Sequence, residues 1–274
     1  IRFLAGHAKA ITGLEKIDAA ALKALPELEV VSKYGVGFEM LDLAAMAKAG
    51  VRLGWTGGVN RRSVAELVVA FAVMLLRDIN QAGREMRDGD WRRHQGRQLS
   101  DRTVGVVGCG HVGKDLSVLL RAFGCRVLAH DIRDFPDFYK THGVEQAGLE
   151  KLLRESDVVT LHVPLDQSTA GILSAERLAL MKPDAILINT ARGGLVDEQA
   201  LKAMLSQGRL KAAAFDVFVA EPPADLELLR LPNFVATPHI GGSAEEAILA
   251  MGRAAILGLD DNRLPAPGQF PDGY

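Results

Sequence analysis

Two residues that each follow a predicted strand can form an acid–base pair. Glu221 stands just past one strand, in residues 216–222, and His239 just past another, in residues 237–242. A carboxylate beside an imidazole orients the ring and stabilises its charged form, an arrangement common in proton transfer. Either residue alone is more often an ordinary loop residue. Together they indicate proton transfer.

Arg192 stands in a third segment of the same kind. The sequence Asn189-Thr190-Ala191-Arg192-Gly193-Gly194 follows a predicted strand, and ligands of open α/β sheets bind outside the carboxyl ends of the strands. A guanidinium there can bind a carboxylate through two parallel hydrogen bonds, which a lysine cannot reproduce. A surface ion pair is the alternative for this residue taken singly.

A dinucleotide-binding motif precedes these segments. Gly108-Cys109-Gly110-His111-Val112-Gly113 matches G-x-G-x-x-G between a predicted strand and a predicted helix, which is the context that the motif requires. Gly108 permits the tight turn, Gly110 lets a pyrophosphate approach, and Gly113 lets the helix pack on the strand. The helix N-terminus, at His111 and Val112, offers N–H groups to phosphates.

Asp131 indicates which dinucleotide binds. It stands eighteen residues after Gly113, at the end of the next predicted strand, where a carboxylate accepts hydrogen bonds from the ribose and repels the additional phosphate of NADP. Arg133 weakens that exclusion. The sequence therefore favours NAD.

Composition excludes several other classes of protein. The formal net charge of −2 over 274 residues gives no general electrostatic attraction to nucleic acid. The two cysteines, Cys109 and Cys125, cannot form a disulfide framework or a four-ligand zinc site, and the histidines show no ligand spacing, so no metal is predicted. No apolar stretch approaches the roughly 20 residues needed to span a bilayer. We expect a cytoplasmic protein without membrane or nucleic-acid partners.

Short β-branched runs alternate with helical patterns, as in a parallel α/β sheet. In the second part of the chain, strands are predicted at 104–107, 126–130, 158–162, 185–189, 213–217 and 234–236, with helices at 112–123, 149–155 and 198–206. These elements predict a doubly wound domain.

The region before that domain has a different pattern. Residues 30–32 and 51–54 read as strands, with the glycine turn Gly35-Val36-Gly37 after the first. Ser63 and Glu66 have the spacing of a capping box that opens a long helix, which we expect to end near Gly89. A last helix is predicted at 244–257.

Taken in this order, the motifs resemble the D-isomer-specific 2-hydroxyacid dehydrogenases. The resemblance runs from about Ile11 to about Met251 and includes the glycine turn, the Ser63–Glu66 helix start, the glycine loop with Asp131, Asn189–Gly193, Asp216 with Glu221-Pro222, and the segment from Thr237 to Gly242. The stretch Ser32-Lys33-Tyr34-Gly35-Val36-Gly37 looks most like 3-phosphoglycerate dehydrogenase-type members. Phe38-Glu39-Met40 departs from a segment that is more often rich in Asp and Asn.

The resemblance implies roles for particular residues. It assigns catalysis to Arg192, Glu221 and His239, and substrate binding to the backbone amides near Val36 and Gly37. It places Asp216 at the nicotinamide carboxamide and Pro164 in a loop that lines the cofactor, and Thr190 and Gly241 complete the predicted cofactor contacts. Lys33 occupies a position where phosphoglycerate dehydrogenases carry a phosphate-binding arginine. The alternative for Lys33 is a structural side chain that extends beside the strand to solvent.

The resemblance also implies an architecture and an activity. We expect a flavodoxin-like α/β substrate domain over residues 1–97 that lacks its first strand, a Rossmann NAD-binding domain over 98–242, and a C-terminal helix at 243–274 that returns to the substrate domain. The expected activity is hydride transfer between NAD(H) and a small anionic D-2-hydroxy acid/2-keto acid pair such as 3-phosphoglycerate, in a homodimer. The alternatives are a hydroxypyruvate or glyoxylate reductase, and a non-catalytic protein that senses NADH.

Overall fold

The computed structural model describes residues 2–266. After a 3₁₀ turn at Arg2–Leu4, the strands are β1 Lys9–Thr12, β2 Val30–Lys33, β3 Arg52–Gly54, β4 Thr103–Val107, β5 Arg126–His130, β6 Val144–Gln146, β7 Val158–Leu161, β8 Ile186–Asn189, β9 Ala212–Phe215 and β10 Phe234–Ala236. The helices are α1 Ala19–Ala24, α2 Leu43–Ala49, α3 Arg61–Leu76, α4 Ile79–Arg87, α5 His111–Ala122, α6 Pro136–His142, α7 Leu149–Glu155, α8 Ala175–Leu178, α9 Glu198–Ser206, α10 Leu226–Arg230 and α11 Glu245–Leu257.

The chain forms two compact units. Of the described residues, the first comprises 2–63 together with 242–266, and the second runs from Val64 to Gly241. The boundary therefore differs from the one predicted at residue 97. The reason is packing: the buried face of α3, including Val68, Phe71 and Leu75, belongs to the core that also holds β4 and β5.

The second unit contains one parallel sheet of seven strands in the order β10-β9-β8-β7-β4-β5-β6. The chain winds outward from β4 in one direction through β6 and in the other through β10, so the winding reverses between β4 and β7. Strands β7, β8 and β9 have four residues each, and every one of these residues is buried. This is typical of parallel strands covered on both faces. The α/β class and the doubly wound sheet are as predicted.

The first unit contains a parallel sheet of three strands in the order β1-β2-β3. Helix α11 packs on this sheet, where the buried Ser32 hydroxyl donates to the Ala255 carbonyl across 2.6 Å. A Cβ built on Gly54 would lie 2.0 Å from the Gly258 carbonyl oxygen, so the end of β3 meets the end of α11 directly.

Two local predictions about the long helix are wrong. The helix begins at Arg61, so Ser63 lies inside it rather than at a capping position, and its hydroxyl accepts from the Ala244 amide at 3.4 Å. The predicted single helix is also two helices. Asp78 adopts the left-handed conformation (φ 54°) between α3 and α4, and the Lys211 ammonium binds both of its carboxylate oxygens at 3.1 Å.

Candidate active site

The carboxyl ends of six adjacent strands carry almost all of the predicted site residues of the second unit. The glycine loop follows β4, Asp131 follows β5, Pro164 lies beyond β7, and three longer segments follow β8, β9 and β10. Because all these strands are parallel, their carboxyl ends meet at one edge of the sheet, where ligands of such folds bind.

His239 and Glu221 form the pair that the sequence predicts. The His239 Nδ1 and Glu221 Oε2 atoms are 2.8 Å apart, and both side chains are about half exposed, at 53% and 41%. A carboxylate only accepts, so we assign the hydrogen to Nδ1. This tautomer leaves Nε2 to exchange a proton with a bound molecule. The second Glu221 oxygen accepts from the Phe218 amide at 3.2 Å, which fixes the carboxylate.

The segment that carries His239 is held by a buried carboxylate. Asp216 is 1% exposed and accepts from the Thr237 hydroxyl at 2.5 Å, the Ile240 amide at 2.8 Å and the Gly241 amide at 2.7 Å. His239 itself has a φ of +54°, a left-handed conformation that is uncommon for residues other than glycine. The three hydrogen bonds stabilise that conformation, so Asp216 positions the imidazole.

The segment that carries Arg192 is held by the side chain of Asn189 and by close contact with the backbone of Phe218. The Asn189 side chain donates to the Arg192 carbonyl at 2.8 Å and accepts from the Ala191 amide at 3.1 Å. A Cβ built on Gly193 would lie 2.0 Å from the Phe218 carbonyl carbon. The segment that carries Arg192 therefore contacts the backbone of the segment that carries Glu221, and this contact needs a glycine.

The glycine loop has the shape that a pyrophosphate needs. A Cβ on Gly113 would collide with the Gly108 oxygen at 2.0 Å, whereas a Cβ on Gly110 would meet no atom within 4 Å. Close packing therefore accounts for Gly113, but the space above Gly110 is open. The amides at the start of α5 follow directly, and such amides attract phosphate oxygens.

Asp131 lies beside that loop with its carboxylate oriented by two backbone amides. One oxygen accepts from Cys109 at 2.6 Å and the other from Arg133 at 2.8 Å. Each carboxylate oxygen can accept more than one hydrogen bond, so acceptor capacity remains for two ribose hydroxyls. The loop and this carboxylate together fit a dinucleotide.

Thr190 and Pro164 stand at neighbouring strand ends. The Thr190 hydroxyl is buried and has no hydrogen-bond partner among residues 2–266, and buried polar groups normally have one. Pro164 follows β7, where its carbonyl accepts from the Thr169 hydroxyl at 2.7 Å. A polar ligand at this edge would satisfy the Thr190 hydroxyl.

Two titratable side chains near the glycine loop are excluded from proton transfer at neutral pH. Burial, assisted by the Asp131 charge, raises the pKa of the Cys109 thiol to about 11, so it stays protonated. Burial lowers the pKa of His162 to about 3, and its Nε2 lies 3.0 Å from the Thr160 hydroxyl. His162 is therefore a neutral, structural imidazole.

The predicted substrate-binding residues lie in the first unit, after β2. Lys33 is 4% exposed, and its ammonium donates to the Tyr34 carbonyl at 2.5 Å, so it does not extend into solvent. Gly35 has a φ of +94°, which allows the turn that places Val36 and Gly37. The Val36 carbonyl accepts from the Trp55 indole at 2.9 Å.

Sequence reasoning missed Trp55 and Glu198. Trp55 has no motif around it, and only the folded sheet brings it to the glycine turn. Glu198 opens α9 with one buried carboxylate oxygen that has no hydrogen-bond partner in the described chain, and burial raises the pKa of this carboxyl.

The described residues 2–266 contain no group of three or more side chains suited to a metal ion. In the same range, every helix is too short or too polar to cross a membrane.

Comparison with known proteins identifies relatives along nearly the whole chain. The chain is 36% identical over 246 residues to a hydroxypyruvate reductase from Thermotoga maritima, covering 86% of this chain and 78% of that protein. It is 37% identical over 240 residues to a D-3-phosphoglycerate dehydrogenase from Methanocaldococcus jannaschii, covering 86% of this chain and 46% of that protein. The chain thus spans about half the length of that dehydrogenase.

A solved structure supports the same relationship. D-lactate dehydrogenase from Aquifex aeolicus, in a complex with NAD and lactic acid, superposes with a TM-score of 0.86 at 26% identity, covering 97% of this chain and 89% of that one. Residues 69–241 match the NAD-binding domain of the D-isomer specific 2-hydroxyacid dehydrogenases. The chain belongs to the D-isomer specific 2-hydroxyacid dehydrogenase family.

Proposed function

We propose that this chain is an NAD-dependent oxidoreductase that interconverts a D-2-hydroxy acid and its 2-keto acid. The observation that carries the proposal is the 2.8 Å pair of His239 and Glu221, at the sheet edge that also holds the glycine loop. A proton acceptor and a dinucleotide site together support oxidation of an alcohol, because that reaction removes one proton and one hydride. Bound NAD would supply the hydride acceptor.

Each group of residues has a proposed task. In the oxidative direction, the His239 Nε2 takes the proton of the substrate hydroxyl while Glu221 holds Nδ1. Arg192 and the backbone amides of Val36 and Gly37 bind the substrate, chiefly its carboxylate. Holding the reacting atoms in one geometry lowers the barrier, because the loss of translational and rotational freedom is met on binding.

We propose that His111, Val112 and the glycines 108 and 110 receive the pyrophosphate, that Gly113 completes the motif by allowing close packing, and that Asp131 receives the adenosine ribose. Pro164, Thr190 and Gly241 would line the nicotinamide end. The Asp216 carboxylate already accepts three hydrogen bonds from the 237–241 segment. Its predicted hydrogen bond with the nicotinamide carboxamide would use the acceptor capacity that remains. The first unit is the proposed substrate domain.

The finer substrate assignment is 3-phosphoglycerate, with hydroxypyruvate and glyoxylate as alternatives. Lys33 is the residue that bears on it, because its buried ammonium lies next to the glycine turn. A lysine binds phosphate as a point charge. Lys33→Met should raise the KM for 3-phosphoglycerate and spare D-lactate. Equal effects on both acids would make Lys33 structural.

Oxidation of NADH with a panel of 2-keto acids tests the activity itself. We expect turnover with at least one of phosphohydroxypyruvate, hydroxypyruvate, glyoxylate and pyruvate, and its loss in His239→Ala. Tight NADH binding without turnover on the panel would favour the NADH sensor instead. Light scattering of the purified protein tests the homodimer, and fractionation of the source cells tests the cytoplasmic location; both remain predictions.

A further inference from the structure

The glycine turn after β2 places one residue between two glycines. Val36 lies between Gly35 and Gly37, and glycine tolerates both positive and negative φ values. If the amide of Gly37 is to receive a substrate carboxylate, its direction must be set by something other than local backbone preference.

Trp55 supplies that constraint. It follows β3, which pairs in parallel with β2, so the two strands bring the indole and the turn to the same edge of the three-stranded sheet. The indole Nε1–H donates to the Val36 carbonyl oxygen at 2.9 Å. In a trans peptide the carbonyl and the next N–H point in opposite directions. Holding the Val36 oxygen therefore aims the Gly37 N–H away from the indole.

The indole is itself held in place. Its ring meets the ring of Phe38 edge to face, with centroids 5.5 Å apart and an interplanar angle of 90°. Both rings are partly buried against the core of the first unit, which contains Ile17, Leu41 and Leu53. Such aromatic pairs have a preferred geometry, so the hydrogen-bond donor has a defined position before any ligand binds.

We propose that Trp55 is a positioning residue for substrate binding, which fixes the Val36–Gly37 peptide so that the Gly37 N–H is preoriented toward the substrate carboxylate. The inference rests on the proposed function, in which this amide binds that carboxylate. Trp55 acts through the peptide group and does not touch the substrate.

The experiment separates the hydrogen bond from the packing. Trp55→Phe removes the donor but keeps an aromatic ring, whereas Phe38→Leu removes the edge-to-face partner but keeps the donor. Trp91→Phe is the matched control, because Trp91 is 74% exposed and the chain has two tryptophans. The measurements are kcat, the KM for the best 2-keto acid, and the Kd values of NADH and of the carboxylate inhibitor oxamate with NADH present.

For Trp55→Phe we expect the KM and the oxamate Kd to rise about fivefold to tenfold, as for loss of one hydrogen bond. The kcat at saturation and the NADH Kd should stay within about twofold. Phe38→Leu should show a smaller rise, and Trp91→Phe none. An unchanged KM and oxamate Kd in Trp55→Phe would overturn the proposal, as would equal losses in kcat and NADH affinity, which indicate a general structural defect.

A second measurement covers a Trp55→Phe protein that fails to fold. In Trp91→Phe, residue 55 can be replaced by benzothienylalanine, which exchanges the indole N–H for sulfur and retains the ring shape. The same rise in oxamate Kd is expected there, and an unchanged Kd would refute the positioning role. Absence of turnover in the wild type would instead contradict the proposed function, and that outcome is visible before any variant is made.

Discussion

Two aspartates at strand ends of the second unit look alike in sequence and differ in the structure. Asp131 follows β5 and Asp216 follows β9. The spacing to the glycine loop assigns Asp131 to the cofactor, and the family resemblance assigns Asp216 to it. Asp131 is partly exposed and accepts from two backbone amides, whereas Asp216 is buried and accepts from three donors of the segment that carries His239.

This difference separates two uses of the same side chain. A carboxylate with spare acceptor capacity at an accessible edge suits recognition of a ligand's hydroxyl groups. A carboxylate whose acceptor sites are mostly filled by one loop suits positioning of that loop, because removing it leaves buried donors without partners. Burial and the number of donors distinguish the two roles.

The largest effect should come from the residue that Asp216 positions. His239→Ala removes the proposed proton acceptor, and general acid–base groups contribute about 10²–10⁴-fold. We expect kcat to decrease by a factor of about 10²–10⁴, measured by steady-state kinetics. The NADH Kd should stay within about twofold, measured by NADH fluorescence titration. A variant with near wild-type kcat would disprove the mechanism.

Asp216→Asn tests the comparison itself. The amide side chain keeps its size but presents an NH₂ group where an N–H donor now binds, so the 237–241 segment should shift. We expect kcat at saturating NADH to fall about tenfold to a hundredfold, consistent with unsatisfied buried donors. If Asp216 acted only on the cofactor, the NADH Kd would rise and the saturated kcat would be preserved. Thr237→Val, which removes one donor, is the milder control.

Asp131→Ala should give the opposite pattern. Loss of the acceptor for the ribose hydroxyls should raise the KM for NADH about tenfold, with kcat nearly unchanged. Loss of the negative charge should also reduce the difference in kcat/KM between NADH and NADPH. Kinetics with both cofactors measure this, and a wild-type preference for NADPH would contradict the assignment of Asp131 and give weight to Arg133.

The smallest effect concerns His162, which follows β7 and contributes to stability alone. Because burial lowers its pKa to about 3, the folded protein holds a neutral imidazole, while the unfolded chain binds a proton near pH 6.5. The contribution of the neutral His162 to the free energy of unfolding is fully present above about pH 6.5. It falls as the pH drops, by at most about 1.4 kcal/mol per pH unit. Urea unfolding at pH 6.5 and 5 should show this slope in the wild type and a flatter one in His162→Gln. The same pH dependence of the unfolding free energy in both proteins would show that other residues cause the acid sensitivity.

Much of the second unit was predictable from sequence. The strands β5 and β10 and the helices α7 and α9 have the predicted bounds. The inner strands form continuous apolar runs because both faces of the sheet are covered. The short strands β1 and β6 were missed, because β1 alternates exposed and buried residues over four positions and β6 has one buried residue of three, so neither forms an apolar run. The break between α3 and α4 at Asp78 was also missed, because the two residues between the helices include neither glycine nor proline.

The sequence by itself determined the side chains of the chemistry: an imidazole, a carboxylate and a guanidinium, each in a segment that follows a strand, and a glycine loop with a following acid. These signals are local, because strand and loop are contiguous in the chain. Only the tertiary structure decided that Asp216 holds the segment carrying His239, that Gly193 must lack a side chain to meet Phe218, and that the Trp55 indole donates to a carbonyl after another strand. Each of these depends on contacts between segments distant in sequence, and hydrogen bonds and close packing between such segments leave no periodic pattern in the residues that form them.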